Sequence, residues 1–223
     1  MRIIICSPGN TFSKGFRRSY TELLYYGWNN GIQMTLSDAS SCNIYYVRTM
    51  CLSGDCTKGI YQKPFQGKVK YDYLLWLDSD MIFTVDDFKK LFKHKEDIIS
   101  GIYNFEGGKG LTCGKWDIDF FKANGYMPYF TEETIIKEPK DDRGLVTVDY
   151  TGFGFLLVKY GVFERMEYPW FFPEWTEVIN DKSVKIRDFS MEDVAWSNKA
   201  RELGFKIYVD PKVKLGHEKL CIY

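Results

Sequence analysis

Residues 73–83 read YLLWLDSDMIF. Five apolar residues in a row run into Asp78, Ser79 and Asp80, and apolar residues resume at Met81. A strand with one wet face alternates apolar and polar residues, whereas an uninterrupted apolar run has both faces covered. Residues 73–77 therefore predict a central strand of a mainly parallel sheet with helices on each side. The carboxylate pair at the end of that strand needs a reason. In extended backbone, positions i and i+2 point to the same side. Two carboxylates held together repel, and burying them unpaired costs several kcal/mol. A divalent cation relieves both problems. Hard oxygen ligands suit Mg²⁺ or Mn²⁺, which in turn grip phosphate oxygens. In open α/β sheets ligands gather beyond the carboxyl ends of the strands, where this pair lies. An isolated DxD also serves as a plain turn, so the rest of the chain has to arbitrate.

Upstream, residues 3–6 form a short apolar run that ends in the turn residues Ser7, Pro8, Gly9 and Asn10. Phe16, Tyr20, Leu23, Leu24 and Trp28 follow at helical spacing, over about residues 14–30, with Gly31 as a stop. Residues 34–36 read as a second strand. Residues 40–52 read as a second helix, capped by Ser40 or Ser41. The polar, glycine-containing stretch 53–70 reads as a loop. Downstream, Thr84 and Asp87 fit a capping box, which makes Asp86 and Asp87 structural. Residues 98–103, 145–150, 153–158 and 206–209 read as strands, and 191–203 as a helix closed by Gly204. This β-α alternation predicts an α/β fold in one domain over 1–223.

Composition narrows the partners. Lys plus Arg number 30 and Asp plus Glu 30, so there is no basic excess to attract nucleic acid. No apolar run is long enough to span a membrane, and the N-terminal apolar run is too short for a signal peptide. Six cysteines without a CxxC pair imply reduced thiols and a cytoplasmic setting. Aromatic residues make up 17%, a share that serves either sugar-binding surfaces or aromatic packing.

The second informative block is FSMEDVAWSNKARELGFKIYVDPKVKLGH, residues 189–217. Glu192 and Asp193 open its helix, where the helix dipole favours acidic groups in any case, and Ser190 is available as a cap. His217 follows Gly216, which permits close backbone approach. Neutral imidazole suits Mn²⁺ better than Mg²⁺.

The order strand, DxD, glycine-aromatic segment, acidic helix and LGFKIYVDPKVKLGH resembles the nucleotide-sugar-dependent glycosyltransferases of the GT-A fold. The resemblance covers most of the chain and is specific at 76–81 and 191–217. It implies a mixed, mainly parallel sheet flanked by helices, with a nucleotide-binding half over 1–104 and an acceptor-binding half over 105–223. It also implies a metal-dependent transferase that moves a hexose or deoxyhexose, of glucose or rhamnose type, from a UDP-sugar to a glycan hydroxyl. By that resemblance Asp78, Asp80 and His217 form the Mn²⁺ (or Mg²⁺) site: Asp80 is a direct ligand, His217 a third protein ligand, and Asp78 either completes the set or reaches the ribose or a metal-bound water. Ser79 belongs to the same motif. The turn Ser7, Pro8, Gly9, Asn10, Thr11 would hold base and ribose, or be an ordinary strand-to-helix loop. Arg48 would face the nucleotide, or else form an ion pair. Gly152 and Phe153, in YTGFGF, would line the sugar pocket or mark a strand kink. Asp193 is the expected base of an inverting enzyme, with Glu192 beside it; in a retaining enzyme the pair binds hydroxyls.

Two other classes share parts of this pattern. A haloacid-dehalogenase-type phosphatase also begins with an apolar strand ending in DxD and would use Asp78 as nucleophile. It places that motif near the start of its domain and carries a later GDxxxD-type cluster, which this chain lacks. A non-catalytic carbohydrate-binding module accounts for the aromatic residues but not for the DxD, ED and GH order.

Overall fold

The computed structural model describes residues 1–105 and 110–218. The chain opens with two βα units: β1 (Arg2–Pro8), α1 (Lys14–Asn29), β2 (Gln33–Ala39) and α2 (Ile44–Cys51). Ser13 caps α1, its Oγ accepting from the Phe16 amide at 2.9 Å. The cap of α2 is Asn43, which accepts from the amides of Tyr45 and Tyr46, so neither Ser40 nor Ser41 starts that helix. Next come β3 (Tyr73–Leu77), the short β4 (Met81–Ile82), α3 (Val85–His94) and β5 (Ile98–Ile102). The capping box of Thr84 and Asp87 forms as expected. The stretch 53–70 is a loop with two tight turns, and it buries Phe65.

Residues beyond 110 hold elements that periodicity did not reveal: β6 (Cys113–Gly114), α4 (Ile118–Asn124) and α5 (Glu132–Ile135). After them come β7 (Val146–Val148), β8 (Tyr150–Thr151), β9 (Phe155–Lys159) and a hairpin of β10 (Glu174–Ile179) and β11 (Lys185–Ser190). Then α6 (Glu192–Glu202), β12 (Ile207–Lys214) and β13 (Gly216–His217) close the described chain. Met191, not Ser190, sits at the N-cap of α6 and lends no side-chain bond; Ser190 is the last residue of β11.

The fold is mixed α/β, with a seven-stranded, mostly parallel sheet in the order β2-β1-β3-β9-β5-β12-β7. β2, β1, β3, β5 and β12 run one way, and β9 and β7 run against them. Both halves of the chain supply strands to this one sheet. The apolar run of β3 divides as its reading requires. Leu74 and Trp76 face a cluster with Leu52, Phe163 and Trp196, while Tyr73, Leu75 and Leu77 face another with Phe16, Leu23 and Phe88. All five residues of β3 are buried. The antiparallel neighbour β9 splits the same way, Leu156 and Val158 to the first face, Phe155 and Leu157 to the second. Covered faces therefore do not require an all-parallel sheet. They require helices on both sides, which α2 and α6 supply on one and α1 and α3 on the other.

Candidate active site

β3 stops at Leu77 and the chain turns at once. The Asp78 amide donates to the Gly154 carbonyl at 3.1 Å, and the Asp78 carbonyl accepts from the Met81 amide at 3.1 Å. Residues 78–80 are thus a turn rather than extended strand, so the period-two expectation that put both carboxylates on one side fails. Asp78 and Asp80 meet different partners.

Asp78 meets Arg48. The guanidinium leaves α2 with 4% of its side chain exposed and sits between two carboxylates: Nε is 3.0 Å from Glu192 Oε1 and Nη1 is 3.1 Å from Asp78 Oδ1. Nη2 also donates to Asp78 Oδ2 at 3.4 Å. The Nη1–Oδ1 approach is close but off the hydrogen-bond axis, so it is ionic rather than directional. Arg48 lies over the rings of Phe153 (5.0 Å) and Trp76 (5.7 Å). Burial works against its charge, but Asp78 and Glu192 outweigh burial and lift its pKa further. Arg48 forms the ion pair and also lines the cavity described below.

Asp80 meets His217. β13 pairs antiparallel with β4, setting Gly216 opposite Ile82 and His217 opposite Met81. A Cβ on residue 216 would stand 3.1 Å from the Ile82 Cβ, so a glycine there allows this approach. His217 Nε2 then lies 3.3 Å from Asp80 Oδ2, and Nδ1 lies 2.9 Å from the Asn104 carbonyl oxygen. A carbonyl can only accept, so Nδ1 carries the proton. With Nδ1 so occupied, Nε2 faces the carboxylate oxygen: protonated, it makes an ion pair with Asp80, and deprotonated, it can share a metal ion with that oxygen. A metal-ligating histidine is commonly held through its other nitrogen in this way. Ligand atoms about 2.1 Å from one octahedral ion stand roughly 3 Å apart, close to the spacing here. These two side chains fit a Mn²⁺ or Mg²⁺ ion. The expected third ligand does not join them: Asp78 is engaged by Arg48, and among the described residues no group of three or more His, Cys, Asp or Glu side chains is gathered for a metal.

Both pairs border one cavity of about 450 Å³. Its walls come from the carboxyl ends of β1 (Pro8, Gly9), β3 (Asp78, Ser79, Asp80) and β5 (Tyr103), from α2, and from the start of α6 (Glu192, Asp193). Asp193 is half-buried there, and its pKa is pushed up to about 7 by burial first and Glu192 second, against the pull of Arg48. Of the first turn, only Pro8 and Gly9 line the cavity; Ser7 is buried, and Asn10 and Thr11 are exposed outside the lining. Gly9 has φ +141°, and a Cβ on it would meet Ser79 Oγ at 2.6 Å, so this turn packs directly on the DxD turn.

Of the YTGFGF segment, Phe153 lines the cavity, whereas Gly152 is outside its lining. A Cβ on Gly152 would stand 2.4 Å from the Tyr103 hydroxyl, and one on Gly154 2.6 Å from the same ring. The Gly154 amide donates to that hydroxyl at 2.7 Å. The glycines make space for Tyr103, and Phe153 is the buried floor under Arg48, 1% exposed and edge-on to Trp196. Sequence reasoning passed over Tyr103, Thr112, Tyr129 and Met191, all in the cavity wall. Tyr103 was within reach, since it follows the end of a parallel strand just as Asp78 does.

No family model and no curated protein matches the chain. Among solved structures, it is similar to the crystal structure of A197 from STIV, with a TM-score of 0.55 and 16% identity, over 100% of this chain and 97% of that one. At that identity the likeness is one of fold.

Proposed function

We propose that the chain is a metal-dependent glycosyltransferase of the GT-A type, which transfers a hexose or deoxyhexose of glucose or rhamnose kind from a UDP-sugar to a hydroxyl of a glycan. The observation that carries this reading is the Asp80–His217 pair: Nε2 and Oδ2 stand 3.3 Å apart with the imidazole oriented from behind by Asn104. Mn²⁺ held there would supply positive charge for the diphosphate that leaves the donor sugar. The other residues divide the remaining work. Pro8 and Gly9 offer a close backbone approach for the base and ribose. Asp78, paired with Arg48 and still 27% exposed, would accept a hydrogen bond from a ribose hydroxyl. Glu192 is committed to Arg48, so the proton of the attacking acceptor hydroxyl falls to Asp193, whose raised pKa suits a base near neutral pH.

The test is a melting curve. Saturating UDP with Mn²⁺ at about 100 times Kd should stabilise the fold by about 2.7 kcal/mol. EDTA, Asp80→Ala or His217→Ala should each abolish the gain, and slow release of UDP from UDP-glucose should accompany it. A UDP response indifferent to EDTA, or none at all, overturns the reading. A phosphatase using Asp78 would instead hydrolyse p-nitrophenyl phosphate and lose that activity in Asp78→Asn.

A further inference from the structure

Two further cavities are lined by residues of α6 and share wall residues in series with the first. One, of about 330 Å³, shares Tyr129 and Met191 with the candidate active site and is walled by Trp116, Phe121, Tyr126 and Phe189. The next, of about 350 Å³, shares Trp116 with the second and adds the polar side chains of Glu174, Asn198, Arg201 and Glu202. The three share lining residues in series, from the space beside Asp193 to the one beside Arg201. Tyr126 and Tyr129 are 55% and 41% exposed and Phe189 is 48% exposed, so this wall shows its aromatic surface rather than burying it.

Trp116 is the shared divider and is braced. Its amide donates to Asp149 Oδ2 at 2.8 Å, and Asp149 Oδ1 is 3.3 Å from Arg201 Nε on α6. On the polar side the Asn198 amide donates to Glu174 Oε2 at 2.7 Å. Flat rings followed by amide, guanidinium and carboxylate groups match the two surfaces of a pyranose, a C–H face that stacks and a rim of hydroxyls that hydrogen-bonds. A lipid tail would use the rings but leave the polar cavity unmatched. A single sugar at Asp193 would use neither.

We infer that the acceptor is an oligosaccharide whose reacting end lies at Asp193 and whose preceding sugars lie on Trp116, Tyr126 and Tyr129 and then reach Asn198 and Arg201. This rests on the transferase reading and adds to it the size and face of the acceptor.

The probe is a panel of defined glycans, from monosaccharides to hexasaccharides, arrayed and tested with the whole chain in the presence and absence of UDP and Mn²⁺. Binding should need at least two or three linked sugars. Trp116→Ala and Tyr126→Ala should each weaken it about tenfold, as expected for one lost stacking ring, while the UDP–Mn²⁺ melting shift stays intact. Tyr126, being largely exposed, can lose its ring with little effect on folding. Trp28→Ala, far more exposed on α1, is the control and should bind as wild type. Binding that stops at monosaccharides, binding insensitive to both ring deletions, or no glycan binding beside a normal UDP–Mn²⁺ response overturns the inference and spares the transferase. Glycan binding that follows the rings without any UDP–Mn²⁺ response keeps the groove and overturns the transferase.

Discussion

Replacing Arg48 with methionine separates its two roles most cleanly. Arg48 is a single cation between two carboxylates, and what matters is which of them is stranded when it goes. Asp78 keeps 27% of its side chain in solvent and can turn toward water, so its loss is small. Glu192 has only 6% exposed, and Arg48 is its ion-pair partner at 3.0 Å. Leaving a buried carboxylate without its partner costs about 3–5 kcal/mol. Methionine recovers most of the packing against Trp76 and Phe153, so the Glu192 term dominates. For a chain of 223 residues that cost corresponds to a fall in Tm of about 6–20 °C. Urea unfolding at pH 7 is the assay, run on Arg48→Met, Glu192→Gln and the double variant. Buried pairs exchanged whole for neutral groups are often tolerated, so the double variant should lose clearly less than the sum of the singles, with a coupling of about 1–3 kcal/mol. A single variant within about 1 kcal/mol of wild type, or strictly additive losses, refutes the reasoning. If Arg48 were instead a nucleotide contact, its replacement would erase the UDP–Mn²⁺ shift and leave the free protein's stability nearly unchanged.

Two further outcomes follow from the same geometry. Asp193 holds its proton up to about pH 7 in the fold but releases it near the ordinary carboxylate value when unfolded, so this group favours the folded state at acidic pH and loses that contribution as pH rises through about 7. Asp193→Asn should flatten that part of the stability profile, and should also remove the rise in transfer rate through the same range; a wild-type rate indifferent to pH between 6 and 8 counts against Asp193 as base. Gly9→Ala should weaken UDP binding at least tenfold in a titration, since φ is +141° and the new Cβ would meet Ser79 Oγ at 2.6 Å; wild-type affinity would mean that the DxD turn can shift away.

The layers of the fold were legible because β3 is apolar at every position and its two faces bury separate clusters. Capping chemistry was legible where the side chain had one choice, as with Thr84 and Asp87, and misled where several caps competed, as with Ser40, Ser41 and Asn43. The hairpin of β10 and β11 escaped notice because the strands carry charged residues on an exposed face, such as Glu177 opposite Arg187. Such a strand has no apolar run to show. The aromatic wall was hidden for a related reason: Trp116, Tyr129 and Phe189 come from three separate segments, and only tertiary structure brings them to one cavity.

The DSD motif was the strongest signal, and its local geometry was the part misjudged. The spacing rule for strands holds only while the chain is extended, and here extension ends one residue before the motif. Two carboxylates at the end of a buried strand therefore need not share one cation. The chain offers each its own partner, an arginine from α2 for Asp78 and an imidazole from β13 for Asp80. The division has a chemical consequence. Arg48 cannot give up its charge, so Asp78 stays oriented whether or not a ligand is present. The imidazole can exchange a proton for a metal, so Asp80 is the carboxylate whose environment a dication can change. One motif thus combines a fixed carboxylate with one whose partner can change its charge, which is what the proposed transferase would need to keep its pocket's shape while metal and nucleotide come and go.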